Sequence, residues 1–265
     1  MAKPLVTICV PTRNRVASLK KSIQKILDQD YTPLEIIISD NASMDGTEAF
    51  CEELERSDHR VRYVRHPQNI GLHGNLNFCL GSGNGEFLCI FHDHDHHEAN
   101  IVSTYVAFLC EHLDVGLVCS DWELIDEEGR SLGTRTHDVK PVTPGLEYIE
   151  RATRSGRSSI GIPGAMIRRE ALGTVRFVDD APWVTATSQF GSRLPSGGRW
   201  GTLTDSCGVG RKANSRRVLE RSHRWHSSTT RTSCIIAKRT WNVGLNMARR
   251  WLAGNRISDG TYFGR

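Results

Sequence analysis

Apolar and polar positions fall into alternating blocks over the first ninety residues of the chain. Four short apolar runs rich in β-branched residues predict four strands, at positions 5–10, 34–39, 61–64 and 86–91. We expect Pro11 to end the first strand, and we expect helices to begin near Val16, Thr47 and Asn69. This alternation predicts an α/β fold, a mostly parallel sheet with helices on both faces.

The pattern becomes less regular beyond the fourth strand. Three further elements are predicted: a helix at 99–112, a strand at 115–119 and a hairpin turn at 126–130. A short helix is predicted over residues 143–151, with Thr143 as its cap and Pro144 in its first position. Another short helix is predicted to begin at Arg168.

Polar residues stand where the predicted strands end. Thr12, Asp40, Asn69 and Asp93 each follow an apolar run, and ligands of open α/β sheets bind beyond the carboxyl ends of the strands. Asp93 and Asp95 are separated by one residue, so both carboxylates can turn toward one hard cation such as Mg²⁺ or Mn²⁺. An acidic loop that only solvates the strand end is the alternative for this pair.

Composition places the chain among ordinary soluble proteins. Of its 265 residues, 24% are charged and 38% hydrophobic, and no apolar run is long enough to cross a bilayer. The start of the chain does not have the pattern of a signal peptide. Five of the eight cysteines lie singly in apolar runs, which favours reduced thiols in the cytoplasm: Cys9, Cys79, Cys89, Cys110 and Cys119.

Charge divides the chain into two parts near Trp183. Residues 184–265 contain fifteen Lys and Arg but only three acidic residues, a net charge of +12, whereas residues 1–183 carry −8. The second part is rich in Ser, Arg, Gly and Thr and has no helical periodicity. We therefore predict a folded domain over residues 1–183, followed by an atypical basic tail over residues 184–265 that is disordered or poorly packed.

Four motifs in the first part resemble one known family. They are the Pro-Thr-Arg-Asn-Arg turn ending at residue 15, the block at 35–47, the segment at 69–77 and the Asp-His-Asp run at 93–95. In this order and spacing they resemble an inverting glycosyltransferase of family 2 with the GT-A fold. The resemblance covers residues 4–183.

The resemblance implies a nucleotide pocket at the ends of the first two strands. Pro11, Thr12 and Asn14 would line it, Asp40 would accept a hydrogen bond from the base, and Asp45 would support that loop. From the residues alone, the favoured explanation of Asp40 is a turn residue and that of Asp45 is a helix cap. A cap at Ser43 is the other choice for that helix.

The resemblance also assigns the sugar and metal contacts. Asn75 would help hold the nucleotide-sugar, Asp93 would contact the ribose or the metal, and Asp95 would bind the Mn²⁺ or Mg²⁺ that bridges the diphosphate. An exposed helix position without a ligand is the alternative for Asn75. The catalytic base is expected in an acidic motif after residue 169, where Asp179 and Asp180 are the available carboxylates.

The implied function is sugar transfer from a nucleoside-diphosphate sugar to a glycan or a lipid-linked acceptor. Members of the family build surface polysaccharides, so a cytoplasmic protein with peripheral association at the inner membrane face is expected, without a nucleic-acid partner. A catalytically inactive nucleotide-sugar-binding protein is the first alternative. A metal hydrolase is the second, because His92, His94 and His96 share one face of an extended segment. A sugar nucleotidyltransferase would need a glycine-rich loop after the first strand.

The tail has two explanations. Read one base earlier, the codons of residues 183–188 permit Gly-Asp-Ser-Asp-Phe, an acidic motif of the kind that the family places here. A displaced reading frame over residues 184–265 is therefore one hypothesis, and codons that forbid Asp at both positions would exclude it. A genuine basic tail, attracted to an anionic membrane surface or to nucleic acid, is the other.

Overall fold

The computed structural model describes residues 2–126, 128–136, 142–155, 164–177, 199–202 and 209–212. Its strands are β1 (Val6–Thr12), β2 (Leu34–Asp40), β3 (Val61–Arg65), β4 (Phe87–Ile90), β5 (Asp95–His97), β6 (Val115–Cys119), β7 (Trp122–Ile125), β8 (Ser131–Arg135), β9 (Val142–Pro144), β10 (Ala165–Arg168), β11 (Arg199–Thr202) and β12 (Val209–Lys212). Its helices are α1 (Val16–Leu27), α2 (Thr47–Ser57), α3 (Gly71–Gly81), α4 (Ile101–Glu111), α5 (Gly145–Ser155) and α6 (Arg169–Leu172). All elements predicted for the first ninety residues are present.

The main sheet has eight strands in the order β3-β2-β1-β4-β10-β6-β11-β9. β3, β2, β1 and β4 are parallel, whereas β10 runs antiparallel to both of its neighbours, β4 and β6. A smaller sheet has the order β5-β12-β7-β8. The predicted α/β architecture with a mainly parallel central sheet is confirmed.

Helices cover both faces of the main sheet. On one face, alternate residues of β1 such as Ile8 and Val10 belong to a core cluster that includes Leu19 of α1. On the other face, Cys9 belongs to a second cluster with Leu76 of α3. Alternation of side chains along a strand sends neighbours to opposite faces, so a strand covered on both sides reads as one continuous apolar run.

The prediction that Pro11 ends the first strand is wrong by two residues. β1 continues through Pro11 to Thr12, in parallel register with β2. The carbonyl of Cys9 accepts a hydrogen bond from Phe91 N–H, so the backbone groups of Cys9 point toward β4. Those of Pro11, two residues later, point the same way, but β4 has already ended at Ile90. A proline is tolerated there because its missing N–H removes no ladder bond.

The helix predicted over residues 143–151 begins later than expected. Val142–Pro144 forms β9, paired with β11, and α5 begins at Gly145. Thr143 and Pro144, predicted as the cap and the first residue of the helix, are therefore strand residues that pair with β11. The hairpin predicted at 126–130 is present between β7 and β8, and α6 begins at Arg169 with Arg168 as its N-cap.

Two short strands lie in the part of the chain where no regular structure was predicted. β11 pairs with β6 in the main sheet, and β12 pairs with β5 and β7 in the smaller sheet. For these eight residues the structure differs from the expected irregular tail, because edges of two sheets supply hydrogen-bonding partners that local periodicity does not reveal. The rest of residues 184–265 lies outside the described part of the chain.

The cysteines and helices agree with most sequence expectations. Cys9, Cys79, Cys89 and Cys119 are buried free thiols, as predicted, but Cys110 is exposed on α4, so its assignment to the core is wrong. Burial raises the pKa of Cys51 to about 12, so this thiol is unreactive at neutral pH. Within the described residues no helix is long and apolar enough to cross a membrane.

Candidate functional site

The candidate site is built on the carboxyl ends of β1, β2 and β4. Thr12 at the end of β1 lies opposite Asp40 at the end of β2. β4 ends at Ile90, and Asp93 follows three residues later. We call this edge of the sheet, with the loops of residues 12–16, 40–47 and 91–97, the carboxyl edge.

Asp40 is a fully buried carboxylate held by three residues. Its Oδ1 accepts hydrogen bonds from the backbone N–H of Ser43 (2.9 Å) and from the Ser43 hydroxyl (2.5 Å). Its Oδ2 accepts from the Tyr63 hydroxyl at 2.7 Å, and Arg65 Nε lies 3.9 Å away. Burial, and then the hydrogen bond to Asp40, raise the pKa of Tyr63 well above its usual value. Asp40 therefore has the predicted turn role, in a fixed orientation.

Asn14 and Asp45 connect the first two loops of the carboxyl edge. Asn14 donates its backbone N–H to the Ser43 hydroxyl (2.8 Å), and its side-chain oxygen accepts from Met44 N–H (2.8 Å). Asp45 accepts from the N–H of Val16, the first residue of α1, at 2.9 Å. It also accepts from the hydroxyl and N–H of Thr47 at 2.5 Å and 3.3 Å, so it stabilises the start of α2 as well.

Asp45, one of the two predicted caps of α2, accepts a hydrogen bond from the N–H of the first helical residue, Thr47. The N-cap position itself is occupied by Gly46. Gly46 has a φ of 85°, a left-handed conformation that glycine adopts without strain, and its position has no side-chain cap hydrogen bond. Ser43, the other predicted cap, bonds to Asp40 instead. Asp45 therefore joins the loop after β2 to the starts of α1 and α2, and its contribution to a nucleotide site stays a prediction.

Asp93 is buried and accepts from residues of two different loops. The Thr12 hydroxyl donates to its Oδ2 at 2.7 Å, while Arg15 Nη1 and His94 Nδ1 lie 3.5 Å and 2.8 Å from its Oδ1. Burial raises the pKa of this carboxyl, but the contacts with His94 and Thr12 and the charge of Arg15 outweigh burial and lower it. Asp93 is therefore an anion at neutral pH.

Asp95 begins β5 and is completely buried. The segment from 91 to 97 alternates strictly: Asp93 and Asp95 are buried, whereas His92, His94 and His96 are partly exposed. His92 Nδ1 lies 4.0 Å from Asp95 Oδ2. The two carboxylates of this segment are therefore enclosed by protein, whereas His92, His94 and His96 reach the surface.

Asn75 is buried in α3, so the alternative of an exposed helix position is wrong. Its side-chain oxygen accepts from the Ser39 hydroxyl at 2.5 Å and lies 3.2 Å from His66 Nε2. Its amide donates to the Ser39 carbonyl at 3.1 Å. These contacts tie α3 to the last residues of β2, directly before Asp40.

Asp179 and Asp180, the candidate bases, lie outside the described residues. The chain leading to them is anchored at Phe177. The Asn77 side chain donates to the Phe177 carbonyl at 2.9 Å and accepts from the Phe177 N–H at 2.7 Å. The ring of His73 stacks on the Phe177 ring at 6.0 Å between centroids. α3 therefore contacts both the end of β2 and the segment before the candidate bases.

Three contacts of the site were not predicted from the sequence, those of Tyr63, Arg15 and Asn77. Tyr63 and Arg15 contact the two buried aspartates of the carboxyl edge. The adjacent positions of Arg15 and Asp93 after the parallel strands β1 and β4 could have suggested the second contact. Nothing in the local pattern marks Tyr63, because its role depends on the register of β2 and β3.

Three comparisons place this chain among known proteins. The model of the family described as "Glycosyl transferase family 2" matches residues 7–176. The chain belongs to this family. A Campylobacter jejuni GalNAc(5)-diNAcBac-PP-undecaprenol beta-1,3-glucosyltransferase is 38% identical over 103 residues, which cover 38% of this chain and 33% of that protein. The putative Bacillus subtilis teichuronic acid biosynthesis glycosyltransferase TuaG is 24% identical over 174 residues, 66% of either chain.

Solved structures support the same fold for this member of family 2. Staphylococcus aureus TarS 1-349 superimposes with a TM-score of 0.60 at 18% identity, over 78% of this chain and 60% of that one. Its complex with UDP-GlcNAc gives a TM-score of 0.61 at 17% identity, covering 79% of this chain and 58% of that one. The GT-A fold is therefore confirmed. The chain spans between a third and two thirds of the length of these relatives.

Proposed function

We propose that this chain transfers a sugar from a nucleoside-diphosphate sugar to an acceptor hydroxyl, with inversion at the anomeric carbon. The observation that carries the proposal is the carboxyl edge itself. A family 2 match over residues 7–176 coincides with a fixed, buried arrangement of Thr12, Asp40 and Asp93. Ligands of such sheets bind at this edge. The relatives' names, which include glucosyl transfer to a lipid-linked oligosaccharide, favour synthesis of a polysaccharide or glycan.

In this proposal the nucleotide lies along the loops after β1 and β2. Pro11, Thr12 and Asn14 line its pocket, and Asp40 accepts a hydrogen bond from the base. Asp45 supports the loop between Asp40 and α2. Asn75 is buried against Ser39, so we assign it an indirect contribution: it holds the end of β2 in place.

Asp93 and Asp95 fit a hard divalent cation. Both are buried carboxylates separated by one residue, and Mn²⁺ and Mg²⁺ commonly take one or two carboxylates and complete their shell with water and phosphate oxygens. Such an ion would supply positive charge for the departing nucleoside diphosphate. Among the residues that the structure describes, no group of three His, Cys, Asp or Glu residues could hold a metal, so a cation at this pair would take its other ligands from water and phosphate oxygens.

The acceptor is proposed to be a glycan or a lipid-linked saccharide. Its hydroxyl must lose a proton to a carboxylate, for which we propose Asp179 or Asp180. A lipid-linked acceptor would bring the protein to the inner membrane face as a peripheral partner. A nucleotide-sugar-binding protein without turnover is the second candidate, because the family match ends at residue 176, before these aspartates.

Calorimetric titration of the full chain with UDP, GDP and dTDP, each with Mn²⁺ and with EDTA, tests the donor site. We expect metal-dependent binding of one nucleotide, lost in Asp95→Asn. Asp28→Asn is the matched control, because Asp28 caps α1 at the end opposite the site. Absence of binding by a folded protein would contradict the proposal. Release of the nucleotide from its sugar donor in the presence of acceptor then separates the transferase from the inactive binder.

A further inference from the structure

Arg15 places a guanidinium beside Asp93, one of the buried aspartates of the carboxyl edge. Its Nη1 lies 3.5 Å from Asp93 Oδ1 and 2.9 Å from His94 Nδ1. The Arg15 side chain is 53% exposed, whereas that of Asp93 is 4% exposed. Its Nε and Nη2 make no hydrogen bond to any residue that the structure describes. One nitrogen is therefore anchored in the site, while two others stay available to a ligand.

The charges of the site leave a role for this guanidinium. Asp93 and Asp95 together cancel the charge of one divalent cation, so a bound diphosphate would still lack a counter-charge. Arginine stays protonated at every working pH, and its planar fork matches the spacing of phosphate oxygens.

We propose that Arg15 is a diphosphate-binding residue of this site, acting as a second cation beside the metal. The inference rests on the proposed function, because it names the residue that would bind the diphosphate of that donor. The contact with Asp93 holds the guanidinium at the inner wall of the site, and the free nitrogens bind phosphate oxygens. A purely structural Arg15, which only neutralises Asp93, would be indifferent to the number of phosphates on the ligand.

Arg13 provides a matched control for Arg15. It is an exposed arginine two residues away on the same loop, and it makes no hydrogen bond to any described residue. The experiment is calorimetric titration of the full chain and of Arg15→Ala, Arg15→Lys and Arg13→Ala, in Mg²⁺. The ligands are UDP, GDP and dTDP and the three corresponding monophosphates. Thermal unfolding of each variant establishes that it is folded.

We expect Arg15→Ala to weaken binding of the diphosphate about 10- to 100-fold, the range for losing hydrogen bonds to a charged partner. Binding of the monophosphate should change much less, because it brings less charge to the guanidinium. Arg15→Lys should fall between the two, since it keeps the charge and loses the fork. Arg13→Ala should change binding of the diphosphate and of the monophosphate by the same factor, because no contact holds the Arg13 guanidinium beside Asp93 as one holds that of Arg15.

Three results overturn the role of Arg15 and leave the proposed function intact. The first is that Arg15→Ala binds the diphosphate as tightly as the unchanged protein. The second is that Arg15→Ala loses the same affinity for the monophosphate as for the diphosphate. The third is that Arg13→Ala loses as much diphosphate affinity as Arg15→Ala. The last two would mean, respectively, a general defect of the pocket and a general electrostatic attraction. If the unchanged protein binds no diphosphate, the proposed function and this inference fail together.

Discussion

Removing the Tyr63 hydroxyl tests how strongly the buried Asp40 depends on its donors. Tyr63→Phe deletes the 2.7 Å hydrogen bond to Asp40 Oδ2, and the next charged group near that oxygen, Arg65 Nε, is 3.9 Å away. A hydrogen bond to a charged group contributes about 1.5–3 kcal/mol, and a buried acceptor left without its donor costs a similar amount. We therefore expect the free energy of unfolding to fall by about 2–3 kcal/mol.

The matched control is Tyr31→Phe, which deletes a 2.6 Å hydrogen bond to the neutral carbonyl of Pro4. A neutral pair contributes about 0.5–1.5 kcal/mol, so this loss should be smaller. Urea unfolding followed by circular dichroism measures both values at neutral pH. Equal losses in the two variants would refute the reasoning. If Asp40 also binds the base, Tyr63→Phe should weaken nucleotide binding and Tyr31→Phe should not.

Two further predictions concern polar residues outside the candidate site, Glu35 in β2 and Gln29 after α1. Partial burial raises the pKa of Glu35, but hydrogen bonds from Thr7, Asn84 and Gly85 outweigh it and leave the pKa lowered. The pKa of Glu35 is therefore lower in the folded chain than in the unfolded chain. Glu35→Gln should lower the free energy of unfolding by about 1 kcal/mol at neutral pH. This difference should shrink below pH ~4.5, when stability is measured as a function of pH. Gln29 donates to the carbonyls of Lys25 and Glu98 and accepts from Val102 N–H. Gln29→Ala should cost about 2–4 kcal/mol in urea unfolding, whereas Gln24→Ala, at an exposed position, should cost less than about 0.5.

The part of the site that could be predicted from sequence is the part set by strand ends. A continuous apolar run such as Phe87–Ile90 marks a strand covered on both faces, and the polar residue that follows it must lie at a sheet edge. Parallel pairing then brings Thr12, Asp40 and Asp93 to one edge. The order of the elements along the chain is enough to predict this edge, without knowledge of side-chain contacts.

The contacts within the site could not be predicted in the same way. Arg15 and Asp93 are 78 residues apart in sequence, and Tyr63 and Asp40 are 23 apart. Each contact depends on which strands are neighbours and on their register, which local periodicity does not contain. The same limit explains β9: Pro144 looks like a first helical residue until β11 pairs with it.

The catalytic base that we propose lies in the segment between Phe177 and Arg199. Asn77 fixes the chain at Phe177, and β11 fixes it again beside β6. A base supplied by Asp179 or Asp180 would therefore follow a fixed point by two or three residues, which limits how far either carboxylate can reach. A displaced frame would instead have replaced the acidic motif expected after Trp183. The codons of residues 183–188 therefore test the displaced frame, and the turnover assay tests whether the chain as given has a working base, for which we propose Asp179 or Asp180.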